Sequence, residues 1–100
     1  MLNATTETPE LTFPRYFQLD VTGYKGPSIV ILYNDDFHSV DEVVSQIQKA
    51  TGYNIEKCVE IMLEAHSTGR TIAYEGTESD CERVATILRQ IRLQVETDTL

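Results

Sequence analysis

The segment that decides the fold runs from residue 29 to residue 39: Ile29-Val30-Ile31-Leu32-Tyr33-Asn34-Asp35-Asp36-Phe37-His38-Ser39. Its first five residues form a continuous apolar run, which is the pattern of a strand buried on both faces. The Asn-Asp-Asp triplet that follows is by itself most typical of a simple turn. The segment therefore predicts a buried strand that reaches the surface directly before a helix. Such an edge can also hold polar groups rigidly at a binding site.

The first helix is predicted from a capping box and a glycine. The Ser39 hydroxyl can accept from a free amide of the first turn, while the Glu42 carboxylate reaches back to the Ser39 backbone. Gly52 is typical of a left-handed cap at the other end. Apolar residues follow at helical spacing between the two caps. They are Val40, Val43, Val44, Ile47 and Ala50.

Two further helices are predicted, one from the Asn54 cap to Thr68-Gly69 and one that begins at Thr77 and Asp80. The pair Thr77 and Asp80 resembles a capping box with a shorter acid. The expected apolar faces comprise Ile55, Cys58, Val59, Met62 and Leu63 in the second helix, and Cys81, Val84, Ala85, Leu88 and Ile91 in the third. His66 continues the second face by one turn. Because both cysteines of the chain fall on these faces, we expect buried free thiols and no disulfide.

Two more strands complete the predicted fold. Residues Thr71 to Glu75 alternate, with Ile72 and Tyr74 on one side, and Leu93 and Val95 alternate in a short last strand. The element order is therefore β-α-α-β-α-β. We expect an α+β fold in which a three-stranded antiparallel sheet packs with three helices, because each amphipathic face must bury itself.

The composition fits one small domain and argues against several kinds of partner. The chain has 100 residues, of which 41% are hydrophobic, and a net charge of −8 from 16 acidic and 8 basic residues. Such acidity argues against nucleic acid or an anionic membrane as the partner. No apolar run approaches the roughly 18 residues of a membrane span, and no secretory signal is recognisable. We expect a monomer with a flexible extension at 1–27, a core domain at 28–97 and a short tail at 98–100.

Two motifs together resemble the ClpS family over residues 29 to 96. They are Asn34-Asp35-Asp36-Phe37 and, further along, Met62-Leu63-Glu64-Ala65-His66-Ser67-Thr68-Gly69. Members of this family are adaptors of the Clp protease that deliver substrates bearing destabilising N-terminal residues, called N-degrons. The family fold is β-α-α-β-α-β, as predicted above from caps and periodicity. The resemblance implies an adaptor that is not an enzyme and uses no cofactor, in the bacterial cytosol or, for a processed homologue, the plastid stroma.

The resemblance implies that Asn34, Asp35 and His66 hold the free α-amine of the substrate. An α-ammonium carries three hydrogen-bond donors and a positive charge, so it needs acceptors and negative charge. These side chains offer a carbonyl oxygen, a carboxylate and a ring nitrogen. Asp36 is expected to hold the loop or the peptide backbone.

The implied pocket for the first side chain of the substrate lies between the first two helices. Its lining would comprise His38, Val40, Val43, Met62 and Ala65. The family commonly has Met at the position of Val40 and a small residue at that of His38. The wall residue near the C-terminus would fall close to Leu93, but the chain is shorter there and we do not assign it. We expect bulky apolar first residues to bind (Leu, Phe, Tyr and Trp), with Leu bound at least as well as the aromatic ones.

A second implied surface lies on the third helix. In the family, an acidic and a basic residue there dock on the N-terminal domain of a Clp AAA+ unfoldase of the ClpA or ClpC type. Glu78 and Arg83 match this pair if one residue is missing before them. The alternative is an ordinary solvated helix face.

Two other functions remain open at this point. A metal site is conceivable from four side chains that lack any recognised ligand spacing, namely Asp35, Asp36, His38 and His66. A structural interaction domain with the architecture of the ribosomal stalk would need neither Asn34 nor His66. A hydrolase is not indicated, since no nucleophile stands beside a base in a recognisable motif.

Overall fold

The computed structural model describes residues 26–100. Its elements are β1 (Ser28–Tyr33), α1 (Val40–Thr51), α2 (Ile55–Thr68), β2 (Arg70–Gly76), α3 (Glu78–Arg89) and β3 (Val95–Thr99). The predicted order and the α+β class are confirmed. The expected extension at 1–27 lies almost wholly outside the described residues, so it stays a prediction. Within residues 26–100, no helix is both long and apolar enough to cross a membrane.

Strand β1 lies at the centre of the sheet and pairs antiparallel with β2 on one side and β3 on the other. Val30 and Leu32 point into the core and are fully buried. On the opposite face Ile29 is buried and Ile31 is half-buried. The apolar run therefore forms the predicted central strand, although its outer face is not completely covered.

The pairing of β2 corrects one prediction. The ladder between β1 and β2 shifts between Val30 and Ile31, because β2 carries an extra residue there, a β-bulge. Ala73 is consequently buried and Tyr74 packs against the core, whereas Ile72 is 50% exposed. The expectation that Ile72 and Tyr74 share the buried side is therefore wrong, since the bulge interrupts the strict alternation on which it rested.

The last strand begins later than predicted. Arg92 has a positive φ of 67°, which turns the chain after α3, and the ladder with β1 begins at Val95 opposite Leu32. Leu93 therefore lies in the connection before β3, yet only 2% of it is exposed. The burial of Leu93 was expected, but the prediction that it lies in the last strand is wrong.

The predicted caps of α1 and α2 are present. Ser39 Oγ accepts from the Glu42 backbone at 3.2 Å, and Glu42 Oε1 accepts from the Ser39 backbone at 2.9 Å. Gly52 and Gly69 both adopt left-handed conformations after their helices, and Asn54 Oδ1 accepts a first-turn amide at 2.9 Å. These local signals fix where both helices begin and end.

The start of α3 forms only half of the predicted capping box. Thr77 Oγ1 accepts from the Asp80 backbone at 3.0 Å. Among the described residues, no return bond from Asp80 to the Thr77 backbone is formed, and the aspartate side chain is one methylene shorter than the glutamate of a full box.

The core lies between the helices and the inner face of the sheet. Cys58 and Cys81 are free thiols with no exposed surface, as predicted. Burial raises the pKa of both thiols, which keeps them protonated and unreactive. The remaining core members are Val30, Leu32, Val43, Val44, Ile47, Ala50, Ile61, Ala65, Ala73, Val84, Ala85, Leu88, Leu93 and Val95.

Three of the apolar residues predicted for the helix faces are about half exposed. The buried face of α2 is centred on Cys58, Ile61 and Ala65, because α2 packs on α1 and β2 together. Leu63 and Ile55 lie off this face, and they are 53% and 47% exposed. The third residue is Val40, which is the first residue of α1, precedes the turns that pack on the core and is 58% exposed.

Candidate functional site

A cavity of about 440 Å³ opens where β1 ends, between α1, α2 and the β1–α1 loop, residues 34–39. Its volume lies within the range of roughly 300–1,000 Å³ that is usual for ligand pockets. Every residue predicted for the amine and the apolar pocket lines it, namely Asn34, Asp35, Asp36, His38, Val40, Val43, Met62, Ala65 and His66. The structure adds Leu32, Tyr33, Leu63 and Leu93.

Backbone hydrogen bonds explain why residues distant in sequence meet at this cavity. The Asn34 amide donates to the Gly69 carbonyl at 2.9 Å, which ties the end of β1 to the end of α2. His66 lies in the last turn of α2 and is carried to the same place. The Tyr33 amide donates to the Gln94 carbonyl at 3.0 Å and brings the connection before β3 alongside.

Asp35 is the most firmly held side chain of the loop. Its Oδ2 accepts from the backbone amides of Phe37 at 3.1 Å and of His38 at 2.6 Å, and lies 3.0 Å from His38 Nδ1. Burial alone raises the pKa of this carboxyl, but the hydrogen bonds outweigh burial and lower it below its usual value. Asp35 is therefore charged at neutral pH. The described residues donate no hydrogen bond to Oδ1, which leaves that oxygen for a ligand.

Asn34 is oriented by its neighbour. Its Nδ2 donates to Asp36 Oδ1 at 3.1 Å. An amide that donates through its nitrogen keeps its carbonyl oxygen for a donor from elsewhere. The bond joins Asp36 to Asn34 within the loop, and the role of Asp36 in holding the loop or the peptide backbone stays a prediction.

His66 brings an available imidazole to the polar end of the cavity. Its side chain is exposed, and no hydrogen bond joins the ring to another residue between 26 and 100. The last turn of α2 also presents the negative end of the helix dipole. Together with the Asp35 carboxylate, this end of the cavity favours a cationic ligand.

The apolar end of the cavity has a buried floor and an exposed mouth. Val43, Ala65 and Leu93 form the floor and are 6%, 3% and 2% exposed. Val40 and Leu63 line the cavity with more than half of their surface exposed. Sequence reasoning assigned Leu63 to the core instead, because its spacing on α2 cannot distinguish a cavity wall from a packed face.

The described residues do not form a metal site. No group of three His, Cys, Asp or Glu side chains between residues 26 and 100 is placed to hold an ion. Asp35 and His38 do meet, but Asp35 Oδ2 is already shared by two backbone amides and the His38 ring. The metal alternative therefore finds no support in the geometry of Asp35, Asp36, His38 and His66.

Glu78 and Arg83 lie on α3, outside the lining of the cavity. Glu78 is the exposed first residue of the helix. The Arg83 Nη1 donates to the Ala50 carbonyl at 3.2 Å, and its Nη2 lies 3.8 Å from Asp80 Oδ1. Arg83 thus supports the end of α1 while half of its side chain stays exposed.

Comparisons with known proteins agree on one family. A family sequence model described as "ATP-dependent Clp protease adaptor protein ClpS" matches residues 26–97. Curated relatives named ATP-dependent Clp protease adapter protein ClpS include one from Streptomyces avermitilis, 32% identical over 57 residues, and one from Erwinia tasmaniensis, 42% identical over 50 residues. These matches cover 57% and 48% of this chain and 54% and 47% of the relatives, so the chain spans about half the length of each.

The fold is shared with a solved structure of Agrobacterium tumefaciens ClpS2 bound to L-phenylalaninamide. The TM-score is 0.70 at 17% sequence identity, and the match covers 76% of this chain and 99% of that one. At this identity the likeness concerns the fold alone.

Proposed function

Because the chain belongs to the ClpS family, we propose that it is a non-enzymatic adaptor that delivers N-degron substrates to a Clp AAA+ unfoldase. It recognises the free α-amine and the bulky apolar first residue of the substrate. The observation that carries this proposal is a cavity that joins three acceptors, left free by residues 26–100, to an apolar floor. A peptide N-terminus carries the two complementary groups, an ammonium and a side chain, on one carbon atom.

The polar end of the cavity suits an α-ammonium. A peptide α-amine has a pKa of about 8, so it is mostly charged at neutral pH. Its three N–H groups can meet Asn34 Oδ1, Asp35 Oδ1 and a neutral His66 nitrogen. The Asp35 carboxylate is already held by hydrogen bonds from its neighbours, so its side chain loses little conformational entropy when a ligand binds. Acetylation of the amine removes both the charge and two of the three donors.

The apolar end suits a large aliphatic or aromatic side chain. Val43, Ala65 and Leu93 are buried and form a floor free of charged groups. Met62 is partly buried at the edge of the core and can adapt to the shape of a ligand. The ligand of the A. tumefaciens relative, L-phenylalaninamide, has the same chemistry of a free α-amine beside an apolar side chain.

The partner that receives the substrate is the N-terminal domain of a ClpA- or ClpC-type unfoldase. Glu78 and Arg83 provide an acidic and a basic group on α3, and neither lines the cavity. The adaptor can therefore hold a peptide and an unfoldase at the same time. The residues before β1 would hand the substrate over to the unfoldase.

The deciding experiment compares two peptides that differ only at the N-terminal nitrogen. Both begin with Leu and carry a fluorophore at the C-terminus, and binding is followed by fluorescence anisotropy. The free amine should bind, whereas the acetylated peptide should show no saturable binding, because several charged hydrogen bonds are lost at about 1.5–3 kcal/mol each. Equal binding of the two peptides would exclude amine recognition and favour a structural interaction domain.

A further inference from the structure

His38 makes a contact that its position in an apolar pocket lining does not require. Its ring nitrogen Nδ1 lies 3.0 Å from Asp35 Oδ2, and its own backbone amide donates to the same oxygen at 2.6 Å. The side chains of His38 and Asp35 are only 21% and 10% exposed. Both side chains also line the cavity. One residue therefore holds the Asp35 carboxylate through both its main chain and its side chain.

We propose that His38 is a positioning residue that fixes the Asp35 carboxylate for the substrate's α-ammonium. This inference rests on the proposed function and adds a residue to it. The two bonds to Oδ2 from main-chain amides remain in a variant such as His38→Ala. The ring adds a third bond that restrains rotation of the carboxylate and keeps Oδ1 free for the ligand. A residue without a side-chain donor leaves the carboxylate held by the two backbone bonds alone.

The same contact links peptide binding to the charge of His38. A neutral ring donates through Nδ1 and leaves the negative charge of Asp35 to the ammonium. A protonated ring forms an ion pair with Asp35 and competes with the ammonium for that charge. The other titratable groups around it are Asp36 in the loop, Glu42 from α1 and His66 from α2. A His38 ring that gains a proton should therefore weaken peptide binding.

Two substitutions separate the ring bond from the bulk of the ring. His38→Ala removes the donor, and we expect the Leu peptide to bind about fivefold more weakly, the effect of one net hydrogen bond. His38→Asn can place an amide nitrogen one bond from Cγ, as in the ring, and does not titrate. It should bind within about twofold of the wild type at pH 8 and lose less affinity on acidification, because an asparagine side chain takes up no proton.

The affinities of these variants support or overturn the role of His38. Wild-type affinity in His38→Ala overturns the proposal, and so does an equal loss in His38→Ala and His38→Asn. If His38→Ala unfolds, the affinity of His38→Asn at pH 8 is decisive, and a loss well beyond twofold overturns the proposal. Asn34→Ala is measured beside them. Wild-type affinity in Asn34→Ala contradicts the proposed function itself, whereas loss there with unchanged His38→Ala contradicts only the role of His38.

Discussion

The cavity beside the β1–α1 loop is smaller than a groove on the outer face of the sheet, yet only the cavity has the chemistry of a binding site. The groove measures about 580 Å³ against about 440 Å³ for the cavity. It is lined by Ile29, Ile31, Glu64, Arg70, Thr71, Ile72 and Asp98. Its charges are exposed, whereas the Asp35 carboxylate in the cavity is held by three hydrogen bonds to one oxygen. Ordered acceptors, and not volume, distinguish the site.

The two regions differ because, within residues 26–100, the helices pack on one face of the sheet. Helices pack on the side of Val30 and Leu32, and the alternation of β1 leaves Ile31 on the other side. A half-buried isoleucine on a sheet needs no function to explain it. The cavity arises instead where β1 and α2 end and α1 begins, which brings backbone groups and side chains of different segments into contact.

The largest expected effect comes from Asn34→Ala, which removes an acceptor of the ammonium and the bond to Asp36. We expect the Leu peptide to lose about 1.5–3 kcal/mol of binding free energy, or about tenfold to 150-fold in affinity. Ile72→Ala trims the outer groove and serves as the matched control. It should leave peptide affinity unchanged in the same anisotropy titration. A comparable loss in both variants would mean that the groove takes part in binding.

The second effect concerns the first side chain of the peptide. Otherwise identical peptides that begin with Leu and Ala should differ by more than about tenfold, since burial of Leu contributes about 1.5–3 kcal/mol. Leu should bind at least as well as Phe, because a flexible aliphatic chain adapts more easily than a flat ring to a cavity mouth that is lined by Val40 and His38. Equal binding of Ala and Leu would show that the apolar floor is not used. A large advantage of Phe would refute only the preference for Leu.

The fold was predictable to the extent that local signals determine it. Caps such as Ser39 and Gly52 act within one turn of a helix, so their sequence is sufficient to place the ends of α1. The bulge in β2 depends on pairing with β1, and no pattern within Thr71 to Glu75 announces it. For this reason the side of the strand on which Ile72 lies was wrongly predicted, although the strand itself was predicted correctly. Leu93 was misplaced in a strand because alternation over two residues cannot reveal the turn at Arg92.

The lining of the cavity was predictable from a resemblance, but its internal bonding was not. The position of His38 in the lining followed from the family. Its contact with Asp35 depends on the turn of the loop, which brings residues three apart within 3.0 Å. Gln46 shows the same limit within the core, where it is 6% exposed and donates to the Ile87 carbonyl from another helix. A polar residue on a helix gives no sign in sequence of a partner so distant.

A smaller effect is expected on α3. Glu78→Lys and Arg83→Glu should each weaken docking to the unfoldase N-terminal domain by about fivefold at low salt, because charges at the edge of an interface act mainly through association rate. Arg70→Glu makes the same change of charge in the outer groove and should leave docking unaffected. Docking can be measured by titration with the isolated unfoldase domain, together with peptide affinity, which should not change in any of the three. Unaltered docking in Glu78→Lys and Arg83→Glu would remove both residues from the interface.

The smallest effect is on stability, and it tests whether the loop carboxylate is held as tightly as its hydrogen bonds indicate. The pKa of Asp35 is lower in the folded protein than its ordinary value of 3.8, because the bonds from His38 and Phe37 outweigh the opposing effect of burial. A carboxyl with a lowered folded-state pKa stabilises the protein above its unfolded-state pKa, and this contribution is lost as the pH falls through the folded-state value.

Asp35→Asn should therefore unfold more easily in urea than the wild type at pH 7, and the difference should shrink below about pH 4. Asp98→Asn neutralises an exposed carboxylate in the outer groove and should show a smaller difference at pH 7. If the two proteins Asp35→Asn and Asp98→Asn had the same pH dependence, Asp35 would be no better held than a surface residue. The contrast between an ordered cavity and an open groove would then lose its physical basis.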